Sequence, residues 1–503
     1  MGRNKKRPYP NNHNNHPPIK RHNSIPPPTS SSPKKQRRNP TFASYLDTPN
    51  LSPKVKLLCE IIATIQSHSI DDALLDTGIR VSQNDVEQVL KLSYSFPAPS
   101  VKFFRWSGQQ LNDKHSPYAW NLIVDLLGKN SLFDAMWDAV KSMKTERLLS
   151  LATFASIFSS YVIARRVDDA VLTFQVMEQY GIPRDVVALN SLLSAICRDG
   201  ETADAVDFLR LAAAKERIRP DSDTYAILLE GWENETNVAS ARKTFEDMVF
   251  DIGWDPTNVP AYDSFLVTLI KAEGFPEALK FFRTIEDRCC YPGLKFFKAA
   301  LDECSKKDDA RGAALLWDVM LRDRDVAFRV YPDLQMYYTV IALFCRRNDT
   351  DTARKLFDEM VYNGIFPNSQ IYNVLFQFML KGRKIRDASG LFIEMIKNEC
   401  VPDHANCSSA VRIFSEYRDY NLAIKVWKCM VENYDSDLEE SGNRLVLELR
   451  DMNRLPEAVK YAEDMIDRRI KLHSSTLSKL KQSLIKERKQ LVYDELFRKW
   501  KFH

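Results

Sequence analysis

The residues of this 503-residue chain best suited to nucleophilic or metal chemistry are nine cysteines and eight histidines. Neither set is spaced for it. Cys59, Cys197, Cys289, Cys290, Cys304, Cys345, Cys400, Cys407 and Cys429 are odd in number and contain no CxxC pair, so no zinc or disulfide framework is readable. They read as small buried hydrophobes of a reducing compartment. The histidines lie in the N-terminal segment or stand alone. No GxGxxG, GxxxxGKS or GxxxxGKT run offers a loop to cradle phosphates. The zinc-deaminase spacing, HxE with a later PCxxC, is missing. No acidic cluster of the metallonuclease kind follows the repeats. These residues imply a binding protein with no cofactor and no catalysis of its own.

Charge is placed unevenly. Residues 1–46 hold ten Lys/Arg and no acid, so the net charge of +4 conceals 61 basic and 67 acidic residues in the remainder. If the remainder binds a polyanion, its cations must gather on one face. The segment 1–50 is rich in Pro, Asn, His and Ser, and it cannot bury enough apolar surface to fold, so a disordered basic arm is expected. Its acid-free, Ser-containing composition fits an organelle transit peptide, though few large apolar residues are available for an amphipathic face. The clusters Lys5-Lys6-Arg7 and Lys34-Lys35-Gln36-Arg37-Arg38 also fit a nuclear-import patch. A solvated tail without an address is the third reading. No run of 18 apolar residues occurs, so no membrane span is expected.

From residue 117 the sequence repeats itself. The apolar residues Met143, Met177, Ala212, Met248, Ile285, Met320, Met360, Met395, Met430 and Met465 recur at intervals of 34 to 40 residues, most often 35. Seven residues before nine of these ten stands an alanine: Ala170, Ala205, Ala241, Ala278, Ala313, Ala353, Ala388, Ala423 and Ala458. Met136 takes the place in the first unit. Seven residues are two helical turns, so alanine and anchor share a face. An apolar residue near the fourth position, such as Phe174, Phe245 or Phe357, completes an amphipathic stripe. The small alanine admits a neighbouring helix closely. Each unit therefore predicts two helices of about 12 residues. One such hairpin cannot bury its own faces, whereas stacked hairpins can. Gly181-Ile182-Pro183, Gly364-Ile365-Phe366-Pro367 and Val401-Pro402-Asp403 mark unit ends, where Gly and Pro stop one helix and Asp or Asn starts the next. The unit 294–333 is longer by five, which predicts an extended loop around Arg322–Val330.

The stretches Val187-Ala188-Leu189-Asn190-Ser191-Leu192-Leu193, Asp223-Thr224-Tyr225-Ala226-Ile227-Leu228-Leu229 and Ile371-Tyr372-Asn373-Val374-Leu375, each followed by the alanine helix, resemble the first helix of the pentatricopeptide repeat. Tetratricopeptide units, at 34 residues, typically lack the Pro-Asp ending. The resemblance implies an all-α fold: a right-handed α-solenoid superhelix of about ten helix-turn-helix repeats over 117–473, with degenerate helical hairpins over 51–116 and a basic C-terminal capping helix over 474–503. Phe103-Phe104-Arg105-Trp106 and His115-Ser116-Pro117-Tyr118 resemble the plant members built only of plain 35-residue repeats. That likeness implies a mitochondrial protein, ahead of chloroplast or nucleus, acting in transcript processing, stability or translation.

In this family the fifth and the last residue of a unit read one base of single-stranded RNA. Two short polar side chains can hydrogen-bond the edge of an unpaired base. Carried over, Asn121 with Ser150 resembles a pyrimidine reader, and Asn190 with Asp221 and Asn373 with Asp403 resemble uracil readers. Ala155 with Asp185 and Ala226 with Asn258 keep one polar partner each. Asp263 with Gly293, Lys298 with Asp333, Tyr338 with Asn368, Ser408 with Leu438 and Asn443 with His473 depart from the pattern. At the second position, where an aliphatic residue sandwiches bases, Val187 fits, while Asp223, Lys295, Gln335, Gln370 and Glu440 do not. A plainer role is open to the same residues, since Asn in a first turn and Asp after Pro also cap helices. The off-pattern units and the acidic array support a second reading: a scaffold within a ribosomal or other RNA-processing complex, binding protein or structured RNA by shape. The Lys479–Lys501 segment either adds phosphate contacts or serves as the polar end an array requires.

Overall fold

The computed structural model describes residues 42–112, 114–321 and 330–502. Residues 1–41 of the expected arm and 322–329 of the expected loop lie outside them. Among the described residues every regular element is helical, and no helix is long and apolar enough to cross a membrane. The chain divides into two compact units between Ser107 and Gly108, nine residues before the boundary expected at 116.

The first unit is irregular. It contains helices Pro53–Thr64, Ile70–Asp76 and Gln83–Lys91 and most of Pro97–Gln110. Ser52 caps the first helix by accepting from the Val55 N–H, with Pro53 at the first helical position. Ser82 and Asp85 close a reciprocal capping box. Lys54 reaches Asp85 at 2.6 Å and ties the first helix to the third. Burial pushes the Asp85 carboxyl up, but the bonds from Lys54 and Ser82 outweigh it and hold the group below its ordinary value. The seven-residue helix Ile70–Asp76 is too short for a standard hairpin.

The second unit is a solenoid. Repeat 1 pairs Pro117–Lys129 with Phe133–Thr145, repeat 2 Leu151–Ile163 with Val167–Val176, repeat 3 Val186–Arg198 with Thr202–Glu216, and repeat 4 Ser222–Glu235 with Val238–Asp251. Repeat 5 pairs Val259–Ala272 with Phe275–Glu286, repeat 6 Leu294–Lys306 with Ala310–Leu321, and repeat 7 Leu334–Arg346 with Thr350–Tyr362. Repeat 8 pairs Ser369–Lys381 with Ile385–Lys397, repeat 9 His404–Glu416 with Tyr420–Asn433, and repeat 10 Glu439–Asp451 with Leu455–Asp467. Each first helix packs on its own second helix and on the first helix of the next repeat. First helices thus form one continuous layer, and second helices lie behind it.

The alanine positions explain the stacking. All nine are 0% exposed, and every anchor from Met143 to Met465 is buried with them. A methyl group at the point of closest approach lets the helices interlock without a void. The turn inside each repeat requires one residue of left-handed backbone. Gly200 and Gly274 supply it in repeats 3 and 5, but residues such as Arg165, Thr236, Asn348 and Arg418 adopt it elsewhere, at φ of 54° to 64°. The strain of roughly 1 kcal/mol per site is offset by the hydrogen bonds such turns recover, as where Leu132 N–H closes on Leu127 O.

After repeat 10 the single capping helix expected over 474–503 is instead two helices, Ser474–Lys486 and Gln490–Phe502. The break falls at Glu487-Arg488-Lys489, with Arg488 at φ 60°. The turn carries neither Gly nor Pro, so composition gave no sign of it. Leu477, Leu480, Leu484 and Leu496 bury against the array. The segment is a full hairpin, with its basic residues turned outward.

Candidate nucleic-acid interface

The fifth residue of each first helix faces the start of the first helix in the following repeat. At that start an N-cap residue leaves backbone N–H groups that need acceptors. The two meet at a recurring polar node, and the pairs Asn121 with Ser150, Asn190 with Asp221 and Asn373 with Asp403 all lie at such nodes.

At the junction of repeats 3 and 4, Asn190 Nδ2 donates to Asp221 Oδ1 at 3.0 Å. Thr224 Oγ1 donates to Asn190 Oδ1 at 2.7 Å. Asp221 caps helix Ser222–Glu235 by accepting from the Thr224 N–H at 2.9 Å, and its own N–H donates back to Thr224 Oγ1. Because the carboxylate can only accept, it fixes which way the Asn190 amide points. Burial pushes the Asp221 carboxyl up, yet the bonds from Asn190 and Thr224 prevail and hold it below its ordinary value. The charged form is therefore built into the node.

At the junction of repeats 8 and 9 the same position works differently. Asn373 Oδ1 accepts from the Asp403 backbone N–H at 2.7 Å and from Asn406 Nδ2 at 3.1 Å. Its own Nδ2 donates to the Ser369 carbonyl. The Asp403 carboxylate caps its helix through Asn406, so the two side chains meet only through that residue. At the first junction Thr153 Oγ1 accepts from the Ser150 N–H and donates to Asn121 Oδ1 at 2.7 Å. In all three nodes the Asn carbonyl oxygen is occupied by protein. One Nδ2 hydrogen of Asn190 and of Asn373 takes no acceptor among the described residues. Each of these amides thus keeps one hydrogen that the protein does not accept, on a buried side chain at Asn190 and a half-buried one at Asn373.

The two half-matched pairs separate. Asp185 is exposed and accepts from the Ala188 N–H. Ala155 lines a small cleft between the first helices of repeats 2 and 3 with Ser191, Ser194 and Arg198. A similar cleft between repeats 8 and 9 is lined by Lys381, Asn406 and Arg412. Both open on the first-helix layer. Asn258, in contrast, is 4% exposed and turns its amide onto the Met248 sulfur. It is withdrawn from the layer where Ala226 sits. The loop Gly253-Trp254-Asp255-Pro256-Thr257 before it makes its own turn, with Asp255 accepting from Thr257 and Ser222.

The off-pattern positions serve the fold. Asp263 accepts from the Gly293 and Phe296 N–H groups at 2.7 and 3.3 Å, and burial, opposed by those bonds, pushes its carboxyl up to about 6. Lys298 pairs with Asp333 at 2.5 Å. Asn443 spends both amide hydrogens on the Glu439 and Lys471 carbonyls and accepts from the His473 N–H. Leu438 is buried. Lys295, at a second position, reaches the buried Glu233 together with Lys271. Sequence reasoning missed Thr153, Thr224 and Asn406, the third helical residue of the following repeat, although they recur 32 to 34 residues after the Asn they hold. Among the described residues no group of three or more His, Cys, Asp or Glu could hold a metal ion.

Family models match within this array: the PPR repeat family at 332–377, the pentatricopeptide repeat domain at 172–235, and the PPR repeat at 152–182 and 370–400. The mitochondrial pentatricopeptide repeat-containing protein At1g77360 of Arabidopsis thaliana is 32% identical over 191 residues, covering 38% of this chain and 37% of its own length. The mitochondrial pentatricopeptide repeat-containing protein At5g15010 of the same plant is 23% identical over 399 residues, covering 78% of this chain and 68% of its own. Maize PPR10 in complex with an 18-nucleotide psaJ RNA element aligns over 87% of this chain and 67% of its own, at 19% identity and a TM-score of 0.38. The matched repeats coincide with hairpins whose buried alanines and Pro-Asp ends recur at the family's spacing, and over 152–235 and 332–400 the chain carries pentatricopeptide repeats.

Proposed function

We propose that this chain is a single-stranded RNA-binding protein of plant mitochondria, of the plain 35-residue-repeat type, acting on transcript processing, stability or translation. The observation that carries the reading is the node geometry. Asn190 and Asn373 stand at one position of the repeat, on one helical layer, with the amide orientation fixed and one N–H unspent. A polar group held in place by protein bonds discriminates between bases because a mismatched edge leaves it unpaired. The mitochondrial names of the relatives support the compartment, and so does the acid-free composition of the arm.

The test is immunoprecipitation of the tagged protein from isolated mitochondria, with sequencing of nuclease-protected RNA. A single short footprint with pyrimidines spaced to match the units of Asn121, Asn190 and Asn373 is expected. Binding of the recovered RNA by Asn190→Ala/Asn373→Ala should be weaker by about 2–4 kcal/mol, one to two for each lost bond. Unchanged affinity would remove base readout from these two positions. Recovery of ribosomal RNA along its length, insensitive to the substitutions, would turn the reading to a scaffold, which the surplus of acidic residues in the array already favours.

A further inference from the structure

Positive charge is concentrated where the row of nodes ends. Residues 468–503 carry eleven Lys/Arg against three acids, whereas residues 47–467 carry 50 basic and 64 acidic residues. A polyanion is repelled along most of the array and attracted at this end. There the loop from Arg469 to Ser475, together with Trp500, lines an open cleft of about 1050 Å³. Arg469 and Lys471 are exposed, and among the described residues no carboxylate pairs with either. The wall beside them is fixed: Trp500 Nε1 donates to the Leu472 carbonyl at 3.0 Å, and its ring stacks on Phe497. Asn443 holds the same loop from below through Lys471 O and His473 N. At the equivalent place four of the nine earlier junctions carry an acid, Asp185, Asp221, Asp333 and Asp403; here it is His473.

We propose that Arg469 and Lys471, beside the Trp500 wall, form an anchor for the phosphodiester backbone of a single strand as it passes the tenth repeat. This rests on the RNA-binding reading above. An array that is acidic elsewhere cannot gain affinity from bulk charge, so the backbone must be held locally. Two unpaired cations beside a fixed aromatic ring supply what sequence-tolerant strand binding requires. The anchor also explains why Asn443 has no hydrogen left for a base: its task is to shape the loop that carries the cations.

The experiment is a fluorescence-anisotropy titration of the full chain with short labelled homopolymers, oligouridylate first, over a range of KCl concentrations. Arg469→Gln/Lys471→Gln changes only exposed residues, and an unchanged melting temperature verifies the fold. The log–log salt slope should fall by about 2, with roughly a tenfold loss of affinity at low salt. Asn190→Ala, run in parallel, should weaken binding with the slope unaltered. Displacement of the strand by excess UMP would overturn the proposal in favour of a mononucleotide site. An unaltered slope in the double variant would overturn the anchor and leave RNA binding in place. A wild-type chain that binds none of the four homopolymers would overturn the RNA reading and the anchor with it.

Discussion

Asp263 shows what the node asks of a single residue. Its oxygen accepts the Gly293 N–H, as the Asn373 and Asn443 oxygens accept the N–H of Asp403 and His473. An amide does this without charge; a carboxylate does it at the cost of desolvation, which lifts Asp263 to about 6. Since the folded value lies above the unfolded one, the folded chain binds a proton that the unfolded chain does not over the interval between about 4 and 6. Stability from this group therefore rises as pH falls through 6. Asp263→Asn should stabilise the protein at pH 7.5 by about 1–3 kcal/mol and abolish that part of the acid-side gain. Melting curves of both proteins from pH 7.5 to 5 measure it. Parallel curves would show that the buried charge carries no penalty. Asp221, held below its ordinary value, contributes in the opposite sense, and it cancels when the two proteins are compared.

At the scale of elements, the helix layer is stapled as well as packed. Glu233, in the first helix of repeat 4, is 5% exposed. It receives Lys271 from repeat 5 at 3.0 Å and Lys295 from repeat 6 at 2.5 Å. A buried carboxylate stripped of its partners costs more than the pair contributes. Lys271→Ala/Lys295→Ala should thus destabilise by about 3 kcal/mol, Glu233→Gln alone by about 1 kcal/mol, and the triple variant should recover much of the loss. Additive effects in chemical denaturation would show that the three side chains act independently. This staple was not legible in the sequence, because its members are separated by 38 and 24 residues and only Lys295 stands at a pattern position, as a departure from it. The hairpins were legible for the opposite reason. A position where two helices touch admits only a small residue, so the alanine from Ala170 to Ala458 recurs and announces itself. The Asn nodes fell between. Their Asn and Asp were visible, but whether an amide keeps a free hydrogen depends on its neighbours. Asp221 accepts one hydrogen of Asn190 and leaves the other, whereas the Glu439 and Lys471 carbonyls leave none on Asn443. Asn258 was misplaced because the loop before it closes on Asp255 rather than on the helix start.

For the second unit as a whole, the relevant property is that each hairpin packs mainly on its immediate neighbours, with the Lys295–Glu233 ion pair reaching one repeat further. Stability in such an array is close to a sum of unit and interface terms, and the end units set how far unfolding spreads. The hairpin 474–502 buries Leu477, Leu480, Leu484 and Leu496, packing on both helices of repeat 10. Ending the chain at His473 would leave the partner faces of Glu439–Asp451 and Leu455–Asp467 in water, along with apolar residues such as Val446, Leu449 and Met465 that now belong to one continuous core. At about 25 cal/mol per Å² of apolar surface, four leucines and their partner faces represent several kcal/mol of lost burial. Hydrogen exchange should accordingly accelerate in repeat 10 and, less strongly, in repeat 9, while Val186–Glu235 keeps its protection. Uniform acceleration through to repeat 1 would mean that the array unfolds as one cooperative body, so that an end hairpin governs every node. A local effect would mean that repeat 3 and repeat 8 can be altered separately, so that only a strand lying along the layer would couple units that the protein itself leaves nearly independent.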